Sequence, residues 1–481
     1  MTMYEDFGLL IDGHWRSARS GRTRPVIDPV DEDILGHLPS ADAADLDDVL
    51  AALAREASRW GKVSGWERSA LLRRIATEMR AVSDRAVRDM SSETGKPIAE
   101  AAGEWNAAID QFDWYADEAR RIFGHVLDGR DTGVRLNVRF DPVGPVAAFT
   151  AWNFPALLPA RKIAASLAAG CPVVVKPSEE APSSTLHIAA AAIRAGLPAG
   201  VLNVVSGKSA DISAHLIASP VVRKVSLTGS VPVGKLILRQ CAETVKKVSM
   251  ELGGHAPVLV LEDADPIAAA TACARAKFRN AGQVCISPSR FYVHQSIYEP
   301  FARTMADFAN ALKIGRGSDD GIEMGPMANA RGRERIVDMV SDAIGKGATL
   351  LAGGEIPADR NRGFFYRPTV LGDVPDNAEV MTEEPFGPIA PIASFSDLDD
   401  AVRRANDVPF GLAGYVFSRS LEGANKAAEA LEVGMVGVND MLLAAAEIPF
   451  GGIKESGMGR EGGQLGIFDY LEAKYIKMRF A

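Results

Sequence analysis

Cys285 closes the run Phe278-Arg279-Asn280-Ala281-Gly282-Gln283-Val284-Cys285. A structural cysteine usually sits among apolar residues; here polar residues and glycine lead into a single thiol. Alone, such a thiol is more often inert than reactive. Two further stretches change its meaning. Glu251-Leu252-Gly253-Gly254 sets a carboxylate beside flexible backbone after an apolar run. Thr150-Ala151-Trp152-Asn153-Phe154-Pro155 ends another such run with an amide side chain. A thiol nucleophile, a carboxylate base and an amide donor are the parts of thioester chemistry on a carbonyl. The other cysteines, Cys171, Cys241 and Cys273, form no C-x-x-C pair, and the 7 histidines are scattered. No metal site is expected.

The elements that must hold these groups follow from pattern. With 481 residues, 47% hydrophobic and 24% charged, the chain reads as a folded protein of more than one domain. A net charge of −9 argues against nucleic acid and anionic membrane as partners. The start carries no basic and apolar leader pattern, and the longest uncharged stretch, 143–160, is broken by Pro145, Pro155 and Pro159. A cytoplasmic chain is expected. Leu46, Val49, Leu50 and Leu53 recur at helical spacing, as do Leu71, Leu72, Ile75 and Met79, and then Ile98, Trp105, Ile109 and Phe112. From Val143 the pattern changes to β-α repeats: Val146–Trp152 before a helix at Ala160–Ala169, Pro172–Lys176 before Ser184–Ala195, Val201–Val205 before Ser209–Ile217, and Val222–Leu227 before Val233–Val245. A second set begins near Ala256 and runs through Arg290–His294 to a helix at Tyr298–Leu312. Such repeats predict parallel sheets covered on both faces. Val134–Phe140 and Ile476–Phe480 alternate apolar with polar residues, as half-buried edge strands do.

Seven motifs in order resemble the aldehyde dehydrogenase superfamily over essentially the whole length. They are Trp152–Pro155, Lys176-Pro177-Ser178-Glu179, Thr228-Gly229-Ser230, Glu251–Gly254, Asn280–Cys285, Glu384-Pro385-Phe386-Gly387-Pro388 and Pro449-Phe450-Gly451-Gly452. The resemblance implies an α/β chain with two doubly wound domains and a small β oligomerisation arm. Residues 1–122 and 143–252 would bind NAD(P), 253–440 would be catalytic, and 123–142 with 466–481 would supply the oligomerisation strands of a homodimer or homotetramer. It also implies roles. Cys285 would attack the aldehyde, Asn153 and the backbone N–H of Cys285 would hold the oxyanion, and Glu251 would activate water against the thioester. Lys162 and Glu461 would relay protons behind that base, or form a plain salt bridge.

For the cofactor, the strand–turn–helix at 222–245 offers turn N–H groups and a helix N-terminus to a phosphate. The resemblance places Gly229, Ser230, Val233, Leu252 and Trp152 there, with Gly207 near the adenine and Glu384 and Phe386 at the nicotinamide ribose. Lys176, Ser178 and Glu179 would meet the adenosine ribose. Glu179 accepts hydrogen bonds from hydroxyls and repels a 2′-phosphate. NAD is therefore expected, with NADP tolerated through Lys176 and Ser178.

Among family members the resemblance is closest to succinate-semialdehyde dehydrogenases, through Gly434–Asn439, Gly451–Gly462 and Asp469–Glu472. Arg161, eight residues after Asn153, and Arg279, six before Cys285, match the arginines that hold the substrate carboxylate, with Phe154 beside them. Either arginine could instead lie on a solvated helix face. One departure stands out. Ala444 and Ala445 replace the hydroxyl-bearing part of the loop before Pro449. The pocket is then more apolar, which favours a longer keto-acid or aromatic semialdehyde. Two other readings compete. In an acyl-transferring enzyme Glu251 would be missing, and in a silent paralogue Cys285, Glu251 or Asn153 would be lost; all three are present.

Overall fold

Val173-Val174-Val175-Lys176 is buried on both faces, as a strand sandwiched between helix layers must be. Each such valine contributes about 1.5–3 kcal/mol through the surface it removes from water. The computed structural model describes residues 3–360 and 362–480. In it this strand is interior to an eight-stranded sheet ordered His14–Arg16, Leu9–Ile11, Leu202–Val204, Val173–Lys176, Val146–Phe149, Lys224–Thr228, Lys247–Glu251, Gly457–Met458. The five strands from Leu202–Val204 to Lys247–Glu251 run parallel, and antiparallel strands close both edges. Chain order reverses between Val146–Phe149 and Lys224–Thr228. The crevice at the carboxyl ends of such neighbours is where open α/β sheets bind ligands. Asn153 and Ser230 lie just beyond those ends.

A seven-stranded sheet follows, ordered Thr349–Ala352, Thr369–Gly372, Ile389–Phe395, Pro288–His294, Ala256–Val260, Ala413–Phe417, Met435–Val438. All its pairs are parallel except the first. A three-stranded antiparallel sheet joins Leu471–Arg479, Val134–Pro142 and His125–Asp128. The two alternating segments read from sequence therefore pair with each other, and His125–Asp128, inside the expected arm 123–142, is the third strand. Ala481, within the expected arm, lies outside the described residues.

Several boundaries differ from expectation. The helix expected at Ala160–Ala169 starts at Leu157 and takes Pro159 into its first turn, where no N–H is required. The helix expected at Val233–Val245 spans Val231–Ala242 instead. Val245 falls outside it, 90% exposed and with a φ of 50°. The N-terminal part, read as helical, also holds the hairpins Leu9–Ile11/His14–Arg16 and Thr23–Ile27/Ile34–Pro39. No helix among the described residues is long and apolar enough to cross a membrane.

Candidate active site

Cys285 reaches its position through a backbone that few sequences tolerate. The helix Pro266–Phe278 ends in a turn where Asn280, Ala281 and Gly282 have φ values of 48°, 51° and 73°. A Cβ on Gly282 would lie 2.1 Å from the carbonyl oxygen of Gly387, so glycine is required there for space as well as for φ. Left-handed alanine costs about 1–2 kcal/mol, and a hydrogen-bond frame offsets it. The Asn280 amide donates to the Asn153 carbonyl at 3.0 Å, and the Asn280 N–H donates to Glu100 at 2.9 Å. Gln283 Nε2 donates to the Asn280 carbonyl at 3.0 Å.

Asn153 is tied into this frame. Its Nδ2 donates to the Gln283 carbonyl at 3.1 Å. An amide carries two N–H groups, so one remains for an oxyanion. Lys96, fully buried, donates from Nζ to Glu104 at 2.6 Å and to the Asn153 carbonyl at 2.8 Å. Glu104 in turn accepts the N–H groups of Ala156 and Leu157. Sequence reading missed Lys96 and Glu104, since a lysine after Gly95 and a glutamate in a helix carry no local signal of burial.

Glu251 ends its strand facing Cys285. Both carboxylate oxygens are buried, with no donor near them but the Cys285 thiol among the described residues. Burial, and then the charge of Glu461, pushes Glu251 up to about 7 from 4.5; Lys162, Arg161 and the Cys285 thiol pull the other way. Desolvation and the carboxylates of Glu251 and Glu384 hold the thiol well above its ordinary range. The thiol is therefore protonated at neutral pH while Glu251 titrates there, so Glu251 can accept the thiol proton only as the sulfur bonds to the carbonyl carbon and loses its basicity. Lys162 and Glu461 form a buried ion pair. The Glu251 strand is held from the C-terminal segment: Met250 and Glu251 pair with Met458 and Gly457, and Leu252 N–H donates to Ser456 at 3.0 Å.

A cavity of about 250 Å³ reaches Cys285, Glu251 and Asn153. The expected cofactor residues Trp152, Gly229, Ser230, Leu252, Glu384 and Phe386 line it. Trp152 and Phe386 meet edge to face at 5.6 Å. Two features fit a dinucleotide. Ser230 leaves the first turn of Val231–Ala242 without a side-chain cap, so its N–H groups are open to a phosphate. Gly253 approaches Glu384 so closely that a Cβ would lie 2.4 Å from its carboxylate. Burial pushes Glu384 up to about 8, and its Oε1 accepts the Gly254 N–H at 3.1 Å. Lys176, Ser178, Glu179 and Gly207 gather at a separate crevice. Val233 is 44% exposed on the helix flank and lines neither cavity.

A second cavity, of about 470 Å³, has Leu157, Arg161, Trp114 and Ala444–Ala446 in its wall. Arg161 is 2% exposed. Its Nε and Nη2 are buried without partners among the described residues, and its guanidinium lies 4.1 Å from the centre of the Phe450 ring. By contrast Arg73, in the same wall, pairs with Asp117 at 2.6 Å. Arg279 is exposed and stacks 5.2 Å from the ring of Phe154, outside this wall. Phe154 itself is core, between Arg279 and Lys96, whose Nζ lies 4.7 Å from the ring.

The aldehyde dehydrogenase family profile matches residues 15–476. A 3-sulfolactaldehyde dehydrogenase of Pseudomonas putida is 45% identical over 97% of this chain and 96% of its own. An NADP-dependent succinate-semialdehyde dehydrogenase of Escherichia coli K12 is 42% identical, with the same coverage. A solved succinate-semialdehyde dehydrogenase structure from Burkholderia pseudomallei superposes with a TM-score of 0.97, at 42% identity over 98% of each chain.

Proposed function

The chain belongs to the aldehyde dehydrogenase family and is an NAD(P)-dependent oxidoreductase acting on aldehydes; we propose that its substrate is a semialdehyde whose far end is anionic. One observation carries this. Arg161 is a buried guanidinium without a carboxylate partner, and it faces a cavity close enough to the reacting groups to pull on both Glu251 and Cys285. A buried unpaired charge is costly, and an anionic substrate supplies the missing partner. The relatives act, by name, on 3-sulfolactaldehyde, succinate semialdehyde and glutarate semialdehyde, all of them anionic. The alanines at 444–446 favour a substrate longer or bulkier than succinate semialdehyde.

In this reading Cys285 Sγ attacks the aldehyde carbon while Glu251 takes the thiol proton. The free Asn153 N–H and the Cys285 N–H receive the oxyanion. Trp152, Ser230, Glu384 and Phe386 line the cavity that reaches Cys285 and would hold a nicotinamide, which would supply the acceptor for the hydride lost from the thiohemiacetal carbon. Collapse leaves a thioester on Cys285. Glu461 with Lys162 carries the first proton away from Glu251; Glu251 then takes a proton from water, the hydroxide displaces the thiolate as the carboxylic acid leaves, and Glu251 returns its proton to Cys285. The first sheet with its helices is the cofactor unit and the second carries Cys285. The three-stranded sheet is an oligomerisation arm. A reactive thiol and three further free cysteines suit the reducing cytoplasm.

The test compares Arg161→Ala with wild type on succinate semialdehyde, glutarate semialdehyde and hexanal. One lost charge-assisted contact should lower kcat/KM for the anionic aldehydes about tenfold to hundredfold and hexanal far less. Equal losses on all three would make Arg161 structural and the substrate a neutral aldehyde. Arg279→Ala, outside the cavity wall, should show a smaller difference.

A further inference from the structure

Arg24 lies in none of the motifs that point to the cofactor, yet it spans the adenosine end of that site. It sits on the strand Thr23–Ile27, and its Nη2 is 2.5 Å from Glu179 Oε2. Glu179 Oε1 accepts from Ser209 N at 3.2 Å and Ser209 Oγ at 3.1 Å, and lies 3.5 Å from Lys176 Nζ. Lys176 Nζ donates to Ser209 Oγ at 2.6 Å. Both oxygens of the carboxylate expected to greet a ribose are thus engaged by protein donors. The crevice that Arg24 shares with Ser178, Glu179 and Gly207 holds only about 20 Å³. Gly207 has a φ of 133°, and a Cβ there would lie 2.9 Å from Ser40 Oγ. A ribose enters this crevice by opening the Arg24–Glu179 pair.

Resting on the cofactor site proposed above, we infer that Arg24 decides how this chain treats the 2′ position of the adenosine ribose. With a 2′-hydroxyl, Glu179 turns to accept from the ribose and Arg24 stays beside it. With a 2′-phosphate, Arg24 leaves Glu179 and takes the phosphate together with Lys176. Three observations support the exchange. The Arg24 side chain is 47% exposed, and ion pairs that exposed contribute little to stability, so this one opens cheaply. A guanidinium fork matches phosphate better than a lone carboxylate oxygen. The charge count matters most. Lys176 is within electrostatic range of Glu179, Glu180 and Arg24. With Arg24 in place, two cations balance two carboxylates; without it, one buried ammonium would face two carboxylates and an incoming dianion. Glu179 alone argues for NAD, and Arg24 makes room for NADP as well.

The experiment measures dissociation constants of NAD and NADP by calorimetry on the full chain, for wild type, Arg24→Ala, Arg24→Lys and Glu179→Gln. Arg24→Ala should weaken NADP about tenfold or more and leave NAD within about threefold. Arg24→Lys should keep most of the NADP affinity, and Glu179→Gln should strengthen NADP while weakening NAD. The NADP constant should also rise more steeply with salt. Equal weakening of both cofactors in Arg24→Ala, or no change in either, would overturn the inference and leave Arg24 as a strut for its hairpin. Wild type that binds neither nucleotide would instead sink the cofactor site itself, and this inference with it.

Discussion

Glu251 buries a carboxylate whose only close polar neighbour among the described residues is the Cys285 thiol, an arrangement that stability alone would remove. Its pKa is raised from 4.5 to about 7. Between those values the folded chain keeps a proton that the unfolded chain has lost, so stability falls as pH rises through this window. The penalty is complete above about pH 7 and absent below about pH 4.5, and amounts to about 3 kcal/mol. Glu251→Gln should therefore melt later than wild type at pH 8, with the gain shrinking at pH 5, as thermal scans at the two pH values would read. The same variant should lose steady-state turnover by orders of magnitude. A single burst of reduced cofactor should remain if thioester hydrolysis becomes limiting. The wild-type limb near pH 7 in the rate profile should be absent. Undiminished turnover would mean another group activates water. Cys285→Ala should bind cofactor and turn nothing over; retained turnover would end the thioester scheme.

At the scale of elements, the turn before Cys285 and the Lys96–Glu104 pair hold the reacting groups in register. Gly282→Ala would drive a Cβ into the Gly387 carbonyl and should yield little folded protein, read by circular dichroism. Lys96→Met leaves the buried Glu104 without its countercharge and leaves the Asn153 carbonyl with the Asn280 amide as its donor. It should cost about 3–5 kcal/mol and lower kcat more than KM, because the amide it steadies serves the oxyanion. A loss confined to stability would place Lys96 in the scaffold alone. These two devices were not equally legible. The parallel strands showed in the sequence because buried strands read as β-branched runs, and the Cys285 and Glu251 stretches showed because polar residues and glycine interrupt apolar ones. Leu9–Ile11 and His14–Arg16 are too short for any period to register. Lys96 with Asn153, and Arg24 with Glu179, are meetings of distant segments, set by sheet order rather than by local pattern. Phe154 was legible as part of a motif, but not as a core ring wedged between two cations.

The whole molecule leaves Val126, Leu127 and Tyr475 of its three-stranded sheet, and Phe123 and Phe480 just beyond its strands, each more than half exposed. An open apolar edge of this kind invites a second copy. Light scattering at micromolar concentration should give two or four times 51.2 kDa, and Val126→Asp with Tyr475→Asp should lower it. A wild-type mass near 51.2 kDa would refute the arm. The C-terminal segment has a different kind of consequence. Lys162 is 0% exposed, its partner Glu461 lies 299 residues downstream, and Gly457–Met458 forms the edge strand beside Glu251. A ribosome needs about 15–60 seconds to travel that distance. By the later part of that interval the nascent chain carries Cys285 but still has no acid to neutralise Lys162 and no edge for the strand of its base. A product cut short before Glu461 keeps a buried ammonium unmatched, and the unfolded fraction this creates is what proteases remove. The last stretch of the chain thus completes a site whose thiol and base are made earlier.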